Sequence, residues 1–289
     1  MREAIGAGTY YQRGETLLAE EIEGSYHHDR GPGTTPLKEQ KKRVKAIIAP
    51  NSPYAHCAPC AAWAYKELAE TPLPDLYIIL SPNHHSAESG VTTETFLTPL
   101  GMVRVDQEFA RGLVSKGTIS YDDEIHNREH GIEIQLPYLQ FAKRKEEEKI
   151  KILPLIISSD CSLEQLSADL KETLLEQGKK AIFIVSSDFL RHGPLFHYVR
   201  YLEDTIDNVY EFDKRGIDLI KAQNPQGWQS YIDKSFAPID GTIAITLLLK
   251  LLKPCDVRLE QYYTSAEILN EQKNTVSYAA IVFEEKKEG

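Results

Sequence analysis

The chain has 289 residues, with 33 Lys and Arg against 43 Asp and Glu for a net charge of −10, and is 42% hydrophobic and 26% charged. A chain of this length buries a full core without disulfide or metal staples, and its acidic balance, with no basic run, excludes a protein that tracks a nucleic-acid backbone. Apolar runs such as Ile243 to Leu249 fall well short of the ~20 residues of a membrane span, so neither a membrane nor nucleic acid is an expected partner.

Met1-Arg2-Glu3-Ala4 shows no apolar leader, and four scattered cysteines form no disulfide framework, so the expected setting is the cytoplasm. In chain order, His27 to Pro36 reads as an irregular loop. Val44 to Ala49, Leu76 to Leu80, Ile150 to Ile157 and Ala181 to Val185 follow as fully apolar runs, the pattern of strands covered on both faces. Helical stretches lie between and after them, at Pro59 to Glu70, Gln107 to Ser115, Ile132 to Lys145 and Leu163 to Glu176. Phe96 to Val105 reads as a small hairpin. The C-terminal half adds helices over Tyr198 to Ala222, Pro225 to Asp233 and Thr242 to Leu252, then strands over Val257 to Tyr263 and Val276 to Phe283. Strand followed by helix, repeated, predicts a single α/β domain over residues 1–289 with a mostly parallel central sheet covered by helices.

The residues after each apolar run carry the chemistry. Pro50-Asn51-Ser52, Ser81-Pro82-Asn83-His84-His85, Ser158-Ser159-Asp160 and Ser186-Ser187-Asp188 all stand at carboxyl ends of predicted strands, where open α/β sheets bind ligands. Convergence of these clusters in one hollow is therefore expected, although each one alone also suits a helix cap. Adjacent residues of an extended chain point to opposite sides, so only one of His84 and His85 is expected inside, and His84 is the choice. Glu129-His130 reads either as an orienting acid with its base or as a cap for the following helix. Asp240-Gly241 before an apolar helix reads as an N-cap, and Arg191-His192 stand within reach of whatever Asp188 holds. Cys57-Ala58-Pro59-Cys60 has the spacing of zinc and redox sites but no second ligand pair, and otherwise reads as buried cysteines at a helix start. No phosphate-cradling glycine loop and no nucleophile elbow occurs.

Ala49-Pro50-Asn51-Ser52-Pro53-Tyr54, Ser81-Pro82-Asn83-His84-His85, the E-H-x-x-E-x-x-L-P block from Glu129 to Pro137, Ser186-Ser187-Asp188-Phe189 and Val276-Ser277-Tyr278-Ala279-Ala280 together resemble the Memo family over nearly the whole chain. The resemblance implies a fold like that of the class III extradiol dioxygenases, with a non-haem metal site at the strand ends. It makes His84 a metal ligand and puts Asp188, Glu129 and His130 in the pocket. Three departures stand out: Asn51 where the family usually has His, Asp240 where it has Cys, and Arg191 where a His follows the S-S-D block, with His192 one position late.

A metal set of His84, Asp240 and Asn51 is harder and weaker than two imidazoles and a thiolate. Iron(II) or copper, bound weakly or not at all, is the expectation. Two readings follow. One is redox or oxygenase-like chemistry on a small substrate, with His130 or His192 as acid or base beside Glu129 and Asp188. The other is a binding module that has lost the metal and takes a peptide or small anion through Arg191 and His192. A metal-independent hydrolase on Asp188 and His130 is a weaker third, since no nucleophile is visible.

Overall fold

A computed structural model describes residues 1–37 and 39–286; residue 38 and residues 287–289 of the expected domain lie outside the described residues. The strands are β1 Val44–Ala49, β2 Leu76–Pro82, β3 Gly90–Val91, β4 Phe96–Thr98, β5 Gly101–Val105, β6 Lys151–Ile157, β7 Ala181–Ser186, β8 Arg191–His192, β9 Asp256–Thr264 and β10 Thr275–Glu284. The helices are α1 Glu15–His27, α2 Tyr54–Ala69, α3 Gln107–Val114, α4 Asp123–Arg128, α5 Leu136–Ala142, α6 Leu163–Glu176, α7 Thr205–Lys221, α8 Pro225–Ser235, α9 Thr242–Leu251 and α10 Ala266–Leu269.

One sheet runs in the order β4-β5-β6-β2-β7-β1-β10-β8, with β3 on β6 and β9 on β10. From β5 to β1 every neighbour is parallel, and β10 joins antiparallel to β1. Alternate residues of the central strands feed two separate cores. Ile47, Tyr77, Ile79, Ile182 and Ile184 pack with α1, α2 and α5 on one face. Ile48, Ile78, Leu80, Phe183 and Val185 pack with α3, α6, α7, α8 and α9 on the other. That two-sided cover is why these strands are apolar at nearly every position. The result is a single α/β domain with a mostly parallel, helix-flanked sheet, as the pattern of the sequence implies.

The differences lie at element ends and near the N-terminus. Helix α2 begins at Tyr54, before Pro59, so Cys57 and Cys60 stand inside it and are buried. The stretch from Ile132 opens as a 3-10 turn, Glu133–Gln135, before α5, which stops at Ala142. Helix α7 starts only at Thr205, because Asp204 takes a left-handed conformation that ends the preceding loop. Helix α1, absent from the sequence reading, buries Leu18, Ile22 and Tyr26, an i, i+4, i+8 stripe that was present to be read. Among the described residues no helix is long and apolar enough to cross a membrane.

Candidate functional site

Parallel strands that leave the sheet on the same edge deliver their following residues to one place. Here β1 ends into Asn51 and Ser52, β2 into His84 and His85, and β7 into Asp188, while β8 carries Arg191. The turn before α9 adds Asp240. Its neighbour Gly241 has no side chain because a Cβ there would overlap the Ser187 hydroxyl, and this close approach lets Ser187 Oγ donate to Asp240 Oδ1 at 3.3 Å. A cleft of about 500 Å³ opens above, lined among others by Tyr10, Asn51, His84, His130 and Arg191, with His85 and Arg128 also on its wall.

His84 is the hub. Its backbone N–H donates to Glu129 Oε2 at 2.8 Å, its Nδ1 lies 2.9 Å from Glu129 Oε1, and its Nε2 lies 3.0 Å from Asp240 Oδ2. Burial works against a charged imidazole, but the hydrogen bonds and charges of Asp240 and Glu129 outweigh it and push the His84 pKa up to about 10. A ring that donates from both nitrogens is an imidazolium. The partners respond in kind. Burial opposes ionisation of Glu129, yet the hydrogen bond and charge of His84 bring it down to about 2. Burial likewise opposes ionisation of Asp240, and Arg191 and then His84 bring it down to about 2.

His130 behaves differently. Its Nδ1 is 3.2 Å from Glu129 Oε1, but burial outweighs that attraction and the nearby His84 adds repulsion, so its pKa falls to about 4. Neutral, it is sandwiched between Tyr10, with ring centroids 4.3 Å apart, and His84, at 4.8 Å. The three rings make one continuous stack.

Arg191 closes the network. Its Nη2 donates to Asp240 Oδ2 at 2.6 Å and to Asp188 Oδ2 at 3.2 Å. Asp188 also accepts from the Asn51 backbone N–H at 3.0 Å and from Ser52 Oγ at 2.5 Å. Full burial raises the Asp188 pKa, an effect that Arg191 only partly offsets. Asn51 presents its amide nitrogen to the acids, 3.2 Å from both Asp188 Oδ2 and Asp240 Oδ2, so it acts as a hydrogen-bond donor. Glu129 and Asp188 are sealed and Asp240 is 7% exposed, whereas Arg191, His84 and His130 are 25%, 17% and 14% exposed at the side chain. The acids form a floor and the nitrogen groups face the cleft.

The structure therefore brings together Asn51, His84, Glu129, His130, Asp188 and Asp240. It does not bring His192. That ring lies on the other side of β8, where Nε2 accepts the backbone N–H groups of Arg200 and Tyr201 at 3.1 Å and the ring stacks on Tyr201; β8 alternates, so Arg191 and His192 cannot share a side. Nor does Ser158-Ser159-Asp160 join: Asp160 accepts from the Ser89 backbone N–H at 3.0 Å and from its hydroxyl. Ligand atoms of His84, Glu129 and His130 come within 4.8 Å of one another, a different trio from the His84, Asp240 and Asn51 of the sequence reading. Tyr10 is the residue sequence reasoning missed, because it sits in an N-terminal segment with no periodicity to read.

An α/β sheet whose strand ends carry histidine and carboxylates around one cleft is the class of protein that this fold and site define. A family model described as Memo-like protein matches residues 2–282, and the chain belongs to that family. It is 29% identical to a MEMO1 family protein of Methanothermobacter thermautotrophicus over 96% of this chain and 99% of that one. It is 30% identical to one of Methanopyrus kandleri, over 96% of each chain. A third, of Pyrococcus horikoshii, is 29% identical over 96% of this chain and 97% of its own.

Proposed function

We propose that the cleft is a metal-independent binding site for a small organic anion, a carboxylate in class. The observation that carries this reading is the position of Arg191. Its guanidinium ties Asp188 to Asp240, placing a permanent cation among the very groups that an Fe(II) or copper ion would need. The rest of the expected donor set fits a metal no better. Asn51 offers the acids its amide nitrogen, and both ring nitrogens of His84 are engaged by carboxylates. Internal cations already balance most of the acid charge.

The same arrangement suits an anion. Only Nη2 of Arg191 is used by the carboxylates; Nε and Nη1 make no hydrogen bond with the described residues, so each keeps an N–H donor for an anion in the cleft. Arg128, paired with Glu124, and His85 stand on the cleft wall, and the Tyr10–His130–His84 stack lines it. A second reading, a divalent cation held by His84, Glu129 and His130, is favoured by their mutual distance alone.

Thermal-shift titration with benzoate and inorganic phosphate, beside equilibrium dialysis against Fe(II), Cu(II) and Zn(II), tests the choice. The native chain is expected to be stabilised by benzoate, to lose that response in Arg191→Met, and to take up no stoichiometric metal. A variant carrying Asn51→His, Arg191→His and Asp240→Cys is expected to acquire metal. Tight, stoichiometric metal uptake by the native chain overturns the proposal.

A further inference from the structure

Away from the cleft, a second cavity of about 350 Å³ opens between the loop after β8 and helices α7 and α8. Arg200, Arg215 and Lys234 stand around it, and none of the three is paired with a carboxylate among the described residues. The one acid on its wall, Glu211, faces Lys214 at 3.9 Å. Tyr201, Phe212 and Tyr231 form the aromatic part of its wall, beside Asn208 and Ser235. The Arg200 guanidinium lies 5.9 Å from the ring centroids of both Tyr201 and Phe212, and Phe212 sits 5.0 Å from Tyr231. In a molecule of net charge −10, three unpaired cations around one hollow are a local reversal of sign.

The flanks of this hollow are apolar and displayed. Phe236 follows Ser235 at the end of α8 with φ 51°, and its ring is 85% exposed. A helix end in that conformation ordinarily has glycine or asparagine, because a bulky residue there is strained. The strain returns nothing to the fold, since the ring buries almost none of its surface. Leu202, next to Tyr201, is 87% exposed, and Leu195 in the same loop is 70% exposed.

We propose that this groove docks an acidic, apolar segment of a partner protein, with Arg200, Arg215 and Lys234 taking its carboxylates and Phe236 and Leu202 its apolar side chains. Charge complementarity selects the occupant: three cations with no carboxylate partner among the described residues call for carboxylates, and the exposed Phe236 and Leu202 beside them for apolar side chains on the same segment. Arginine with tyrosine and phenylalanine is also the composition of residues that dominate protein interfaces. The site is independent of the Arg191 cleft.

Fluorescence anisotropy of the full chain with a labelled peptide of alternating glutamate and leucine tests it. Binding is expected to weaken with salt and to fall by about tenfold in an Arg200→Ala, Arg215→Ala double variant. Phe236→Gly separates docking from folding: it is expected to weaken peptide binding while leaving the melting temperature equal or higher. Absence of peptide binding, equal binding by the double arginine variant, dimerisation through Phe236 in sedimentation, or capture by phosphatidylserine vesicles instead of the peptide would each overturn the proposal.

Discussion

Two regions of this molecule set an arginine against a buried carboxylate, and they use it differently. At the N-terminal segment, Arg2 Nη1 donates to Glu133 Oε2 at 2.6 Å while its Nε and Nη2 donate to the carbonyls of His126 and Glu129. Glu133 in turn accepts from the backbone N–H groups of Ile5 and Gly6 and from the Tyr11 hydroxyl. Every guanidinium nitrogen of Arg2 is occupied, and both side chains are sealed, 1% and 0% exposed. At the cleft, Arg191 spends one nitrogen on two acids and leaves Nε and Nη1 without a partner among the described residues, on the wall of a hollow. Saturation marks the first as a clasp that fixes the segment bearing Tyr10; unsatisfied donors mark the second as a place for a ligand.

The clasp gives the largest expected effect. Removing one partner strands the other charge in the interior, so Arg2→Leu should cost about 3–5 kcal/mol by chemical denaturation and Glu133→Leu a similar amount. If either variant is nearly as stable as the parent, the contrast between clasp and cleft fails.

The cleft should be more sensitive to pH than to truncation. Glu129 and Asp240 are lowered to about 2 in the fold, so the native state holds fewer protons than the unfolded chain as pH falls. Their contribution is fully present above the ordinary carboxylate range near ~4 and is lost as pH drops through about 2. Equilibrium denaturation between pH 5 and 2 checks it, and Asp240→Asn should flatten that slope. A slope identical to the parent's would remove Asp240 from the network. His84, raised to about 10, adds the mirror image, stability present below its unfolded pKa near ~6.5 and lost as pH rises through about 10.

Buried Asp213 sharpens the same point by contrast. It accepts from Tyr262 and Ser277 hydroxyls, with no cation among its partners, and burial pushes its pKa up to about 7. Between its unfolded value and about 7 the native state holds the extra proton, so stability declines as pH rises through that window. Asp213→Asn should therefore gain relative stability at pH 8 over pH 5; an unchanged difference between the two pH values would show that Asp213 ionises freely. Smallest is Tyr10→Ala, which removes one ring of the stack. It should cost roughly 1 kcal/mol of stability yet weaken benzoate binding, read by the same thermal titration.

The sequence by itself determined the architecture and half of the site. Strands covered on both faces must be apolar throughout, so Val44–Ala49 and Ala181–Ser186 announced a parallel sheet, and the polar residues after them had one edge to occupy. His84, Asp188 and Asn51 were legible for that reason. Asp240 and Glu129 were named from local motifs, but their meeting on the two nitrogens of one imidazole is a matter of tertiary distance across 156 and 45 positions of chain. Only the fold could decide whether Arg191 or His192 faces the cleft, because strand β8 has two residues and its register on β10 sets the side. Charge state, too, was decided there: identical carboxylic acids ionise near 2 beside Arg191 and His84 and near 7 where neutral groups are the donors among the described residues, since what shifts a buried proton is the company of charges that packing assembles.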